Sequence, residues 1–143
     1  MRYQYFLASR YRNKEAVLDL ARKVKAKGKS YYCFIESEAS IKNVGLVESD
    51  PEAAMKQFES IPDWTQDARV REVFEMDMNS LKDSETIVVL LPAGKSVHIE
   101  AGAAYGLGKR LILVGEQKEA ESLYLIFAEF YPTIDAFIEP LVP

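Results

Sequence analysis

The sequence predicts an α/β fold, a small Rossmann-like (flavodoxin-like) parallel sheet of about 4–5 strands with helices on both faces. Three observations carry this expectation. Short runs rich in aromatic and β-branched residues alternate with longer amphipathic stretches, the pattern that a parallel sheet with helical crossovers leaves in a chain. One run, Thr86-Ile87-Val88-Val89-Leu90-Leu91, is continuously apolar and closed by Pro92, as a central strand covered on both faces requires. The chain has 143 residues, 48% apolar and 11% aromatic, enough for one core and too few for two ordinary domains. Residues 1–143 therefore read as a single domain.

Tyr3 to Ala8 and Ser30 to Ile35 read as the first two strands. Between them Ala16, Val17, Leu20, Ala21 and Val24 recur at helical spacing, with Gly28 as a stop signal. Residues 36–50 show neither period, so a loop is expected there. Ser49-Asp50-Pro51 opens a short helix running from Glu52 to Ser60. Thr65 to Lys82 spaces Ala68, Val70, Val73, Phe74, Met76 and Leu81 as a longer amphipathic helix, with Asp63 and Trp64 at its mouth. After the central strand a helix starts near Ser96, for which Ser96 itself is a candidate cap. Its Gly102, Gly106 and Gly108 each cost about 0.5–1 kcal/mol relative to alanine, so something is expected to approach that helix closely. Arg110 to Val114 is a further strand, and Glu121 to Leu141 is expected to be helical, broken at Pro132.

The 18 Lys+Arg against 22 Asp+Glu give a net charge of -4, which offers no overall attraction to a nucleic-acid polymer or an anionic membrane. No apolar run reaches the roughly 20 residues of a membrane span, and the first residues lack a signal peptide's pattern. A cytoplasmic protein without membrane attachment is the expectation. The single Cys33, between Tyr32 and Phe34, reads as a buried thiol.

In a parallel sheet, ligands gather at the carboxyl ends of the strands. Two turns qualify: Ser9-Arg10-Tyr11-Arg12 after the first strand, and Ala93-Gly94-Lys95-Ser96 after the central one. Gly94 and Ser96 at a helix start suit a phosphate or carboxylate. The spacing matches neither a Walker motif nor the three-glycine dinucleotide fingerprint, so neither ATP nor NAD is implied. Arg10 and Arg12 would clamp an anion held by that helix start, or else form a solvated basic edge. Glu100 falls four residues after Ser96, one too many for a capping box. It is either an acid favoured by the helix dipole or a nucleophile in a tight pocket beside Gly102. Asp77 is a solvated acid on a helix face unless the fold buries it. His98, two residues from Glu100, points away from it and reads as structural. Trp64, Tyr5 and Phe6 could stack a base, although aromatics in or near strands usually belong to the core.

The string Asp77-x-x-x-Leu81-x-x-x-Glu85-x-Ile87-Val88-Val89, followed by Ser96 and Glu100-Ala101-Gly102, resembles the nucleoside 2-deoxyribosyltransferase-like superfamily. Tyr5-Phe6-Leu7-Ala8-Ser9 is similar to its opening strand, and Gly106 to Val114 to its helix-to-strand passage. The resemblance implies cleavage or transfer of an N-glycosidic bond, with Glu100 as nucleophile on the anomeric carbon and Asp77 as the acid near the base. It implies a substrate-binding set of Ser9, Arg10, Arg12, Gly94, Ser96, Gly102 and Phe6, tilted toward a nucleoside 5′-monophosphate. It also implies no cofactor and no metal, a small nucleoside or nucleotide as partner, and a homodimer or higher homo-oligomer. Two positions depart from the family pattern. Gly94 stands where a second Asp or Ser is usual, and Phe6 where many members have tyrosine. Two further readings stay open: a nucleotide-binding or sensing domain without turnover, and a structural partner packing through the small-residue helix.

Overall fold

A computed structural model describes residues 1–45 and 50–143. Its strands are β1 (Tyr3–Ala8), β2 (Tyr31–Cys33), β3 (Ser84–Leu90), β4 (Arg110–Val114) and β5 (Glu129–Tyr131). Its α-helices are α1 (Lys14–Ala26), α2 (Glu38–Ser40), α3 (Pro51–Glu59), α4 (Ala68–Lys82), α5 (Lys95–Gly106) and α6 (Ile134–Ile138). The strands form one sheet in the order β2-β1-β3-β4-β5, with every neighbouring pair parallel. The expected doubly wound α/β fold is present. From β1 the chain adds β2 on one side and β3 on the other, so the order reverses between β1 and β3 and opens a crevice beyond their carboxyl ends.

The strands alternate their side chains between two cores. Leu7, Val88, Leu90 and Ile112 point toward α1 and α6, where Val17, Leu20, Val24 and Phe137 meet them. Phe6, Ala8, Ile87 and Leu113 point the other way, onto Leu81 of α4 and Val97, Ala101 and Ala104 of α5. That two-sided burial is why β3 has no polar alternation; each such Leu, Ile or Val stabilises the fold by roughly 1.5–3 kcal/mol when fully buried.

Local chemistry sets the helix starts around the crevice. Asp50 caps α3 by accepting the Glu52 N–H at 3.0 Å, with Pro51 preorganised at the first helical position. Asp67 caps α4 through the N–H groups of Arg69 at 2.8 Å and Val70 at 3.4 Å, so the helix starts later than Thr65, after a 3-10 turn at Trp64–Gln66. At α5 the cap is Gly94, which has no side chain to offer; Ser96 lies inside the helix and does not cap it. In place of a cap, His98 tethers this end. Its Nδ1 lies 2.7 Å from the Gly94 carbonyl and must donate, which leaves Nε2 to accept from the Tyr124 hydroxyl at 2.7 Å.

Five expectations are corrected. β2 ends at Cys33, because the chain turns at Phe34–Glu36 into a 3-10 turn and Ser37 then caps α2. Residues 36–45 are therefore not a plain loop but this turn, α2 and a π-helical turn at Ile41–Gly45; the part of the loop expectation at 46–49, with Ser49, lies outside the described residues. The stretch from Glu121 to Leu141 is not a broken helix. It holds a 3-10 turn (Ser122–Ile126), then β5 pairing Glu129, Phe130 and Tyr131 with Ile112, Leu113 and Val114, and only then α6. Finally, beyond the helix's own backbone, nothing among the described residues comes within 4 Å of where a side chain would begin at Gly102 or Gly106, so that face of α5 is not crowded by them. Gly108, expected inside the helix, follows its end at φ +75°, the left-handed backbone that favours glycine after a helix. Cys33 is buried and unpaired. No helix among the described residues is long and apolar enough to cross a membrane.

Candidate active site

The crevice at the β1/β3 switch point has a volume of about 430 Å³. The turn after β1 brings Ser9, Arg10, Tyr11 and Arg12 to it, and the start of α5 brings Gly94, Lys95 and Ser96. One and a half turns into α5 stands Glu100, and Asp77 reaches in from α4. Phe34, Met55, Phe58 and Val73 give it an apolar wall. Among the described residues, a more open concavity of about 530 Å³ lies past β4 and β5, but its carboxylates Glu116, Glu119 and Glu121 sit on exposed loop.

Glu100 and Asp77 are half-buried carboxylates on adjacent helices, each disfavoured in its charged form. Burial, and after it the negative charge of Asp77, pushes Glu100 up to about 8. Burial alone raises Asp77 to about 6, against a hydrogen bond that favours its ionised form. That bond is donated by the Tyr32 hydroxyl to Asp77 Oδ1 at 2.7 Å. Two carboxyl groups raised by different amounts in one crevice are the combination that acid-base chemistry on a leaving group needs.

The sequence-based site residues divide clearly. Glu100, Asp77, Ser9, Arg10, Arg12, Gly94 and Ser96 converge on this one crevice, although they come from three separate stretches of chain. Asp77 is not the solvated acid its helix pattern suggests, and Glu100 is not in the first turn of α5, where the dipole argument would place it. Two residues go elsewhere. Phe6 is 0% exposed and stacks on Tyr32 at 5.2 Å between centroids, so it belongs to the core. Gly102 is exposed on the outer face of α5, because a step of two residues rotates it about 200° from Glu100. Trp64 is 60% exposed and not part of the crevice.

Arg12 and Ser9 line the crevice with their polar atoms already engaged. The Arg12 guanidinium bonds Glu52 at 2.5 Å and Glu59 at 3.0 Å, both from α3, so it holds α3 in place and is not a free clamp for an anion. Arg10, exposed beside it, is the guanidinium open to a ligand. The Ser9 hydroxyl donates to the Leu90 carbonyl at 2.8 Å, lies 3.3 Å from the Pro92 carbonyl and accepts from Asn13 Nδ2 at 3.2 Å. It joins the ends of β1 and β3 beneath the site. Ser9→Ala is expected to cost about 1–2 kcal/mol in urea unfolding, the effect of a buried hydrogen bond left unpaired.

Sequence reasoning missed Lys95, Tyr11 as a wall of the crevice, the apolar wall formed by Phe34, Met55, Phe58 and Val73, and above all Tyr32. Of these, Lys95 and Tyr11 carried a signal, since each lies in one of the two turns already singled out.

No family model and no curated protein matches the sequence. Solved structures do match the fold. The 2-deoxyribosyltransferase of Bacillus psychrosaccharolyticus superposes with a TM-score of 0.61 at 16% identity, over 97% of each chain. The CMP N-glycosidase of Clostridium botulinum superposes with a TM-score of 0.50 at 17% identity, over 96% of each chain. The fold is thus shared with proteins of the kind the sequence resembles, from end to end.

Proposed function

We propose that this chain breaks the N-glycosidic bond of a small nucleoside or nucleotide, passing the sugar to water or to another base, with Glu100 as nucleophile and Asp77 as acid. The observation that carries this reading is the Asp77–Glu100 pair, two carboxyl groups brought from different helices into one switch-point crevice, where burial raises both. The named activities of the two structural neighbours support it.

In the first step a Glu100 oxygen attacks the anomeric carbon and the carbon–nitrogen bond breaks, its electron pair going to the base, which takes a proton from Asp77. In the second, water or an acceptor base attacks the same carbon, the Glu100 oxygen leaves as carboxylate, and Asp77 recovers the proton. As the carbon–nitrogen bond breaks, the positive charge that develops on the sugar favours an ionised Glu100, which places the proton on Asp77 in that transition state. Asp77 Oδ1 is occupied by Tyr32, and its Oδ2 carries the transferable proton. The apolar wall of Phe34, Met55, Phe58 and Val73 suits the flat base. The uncapped N–H groups of α5, with Ser96, Lys95 and Arg10 around them, suit a 5′-phosphate. The exposed Ile99 and Tyr105 with Gly102 and Gly106 on α5 give a homodimer or higher homo-oligomer a place to form.

A second reading, a nucleotide-binding domain without turnover, is favoured by one observation: Gly94 offers no side chain where the family pattern has a second polar group. Base release separates the two. Chromatography of deoxynucleosides and their 5′-monophosphates, with and without an acceptor base, is expected to show free base; dependence on the acceptor identifies transfer, and independence identifies hydrolysis. A nucleotide that raises the melting temperature with no base released would favour the binding domain.

A further inference from the structure

Tyr32 neither makes nor breaks a bond in the chemistry just described, yet its setting beside Asp77 is unusually fixed. It lies on β2 directly opposite Phe6 of β1 in the parallel register. Its ring is stacked on Phe6 at 5.2 Å and tilted against Tyr3 at 5.8 Å, and the residue is 6% exposed. A phenol held between two rings cannot swing, so its hydroxyl is delivered to one point, 2.7 Å from Asp77 Oδ1. The groups facing that hydroxyl are Asp77 from α4, Glu100 from α5 and the Ser37 hydroxyl ahead of α2. Ser37 donates its own proton to the Phe34 carbonyl at 2.9 Å and so does not donate to Tyr32, whose O–H goes to Asp77 Oδ1.

We propose that Tyr32 is a positioning residue of this site: its O–H locks Asp77 Oδ1, so that the carboxyl rotates no further and only Oδ2 exchanges a proton with the substrate. Tyr32 keeps its own proton throughout, because burial and the neighbouring carboxylates make phenolate formation harder than usual. The assignment rests on the proposed function for the word substrate, and on geometry alone for the lock.

Tyr32→Phe preserves both ring contacts and removes only the hydroxyl. Carbon-detected NMR titration of the side-chain carboxyls reads the lock without turnover. The resonance absent in Asp77→Asn and retained in Glu100→Gln belongs to Asp77, and its midpoint is expected to rise in Tyr32→Phe. In base release, the same variant is expected to lose roughly ten- to a hundredfold in kcat with KM changed less than about threefold. In the Asp77→Asn background that loss disappears, since nothing remains to be positioned. An unmoved Asp77 midpoint, or losses that multiply in the double variant, overturns the proposal. If no nucleotide yields base, the glycosidic reading falls, while the titration still decides the lock.

Discussion

Glu100→Gln is expected to abolish base release, by at least about a thousandfold, while leaving the protein folded and more resistant to heat above neutral pH. The loss follows from the chemistry, because an amide of the same shape keeps the contacts of Glu100 but is too weak a nucleophile to form the sugar ester. The stability effect has its own physical origin. A carboxyl held at about 8 in the folded chain, against an ordinary 4.5, binds more protons folded than unfolded between those values. Its ionisation therefore works against folding, not at all below pH 4.5, increasingly as pH rises, and fully above pH 8. Each unit of that interval corresponds to at most about 1.4 kcal/mol. Glutamine never ionises, so the melting temperatures of variant and parent should nearly coincide at pH 5 and separate by several degrees at pH 8, the variant higher. Base release that survives in Glu100→Gln would remove Glu100 from the role of nucleophile. A variant that melts lower at pH 8 would show its carboxylate to be stabilised, not strained, by the crevice.

The parts of this site that were legible in the sequence are those fixed by short-range rules. The continuous apolar run of β3 announced a central parallel strand, and with it a crevice at the carboxyl end where Gly94, Ser96 and Glu100 had to lie. The position of Asp77 followed only from family resemblance, since its helix pattern alone favoured solvent. What stayed hidden depends on partners distant in the chain. Arg12 is neutralised by Glu52 and Glu59, about 40 residues on, and no local pattern shows that α3 folds back over the turn after β1. Tyr32 lies in an aromatic strand where a core reading is the default, and its hydroxyl partner is 45 residues away. β5 is three residues long, too short for a period-2 alternation to register. Gly102 was within reach of sequence reasoning: the helical period that turns His98 away from Glu100 also turns Gly102 away.

Asp77→Asn is expected to lower base release by roughly 10²- to 10⁴-fold and, more tellingly, to change the shape of its pH profile. In the parent protein the productive state carries a single proton on the pair, so kcat/KM should be bell-shaped, rising through about pH 6 and falling through about pH 8. Within that singly protonated state the proton rests mainly on Glu100, the weaker acid, and the reactive arrangement with Asp77 protonated is the minor one. Asparagine removes both the acid and its charge. Glu100 then titrates alone, and with the like charge gone its midpoint must fall below 8, while burial keeps it above 4.5. The residual activity should therefore climb once with pH, through a midpoint below that of the parent's alkaline limb, and stay level above it. Substrates with an activated leaving base need less help from an acid, so they should lose least in this variant. A profile that keeps its alkaline limb without Asp77 would place the proton donor on another residue, and a single climb with its midpoint still near 8 would mean that the charge of Asp77 adds nothing to what burial does to Glu100.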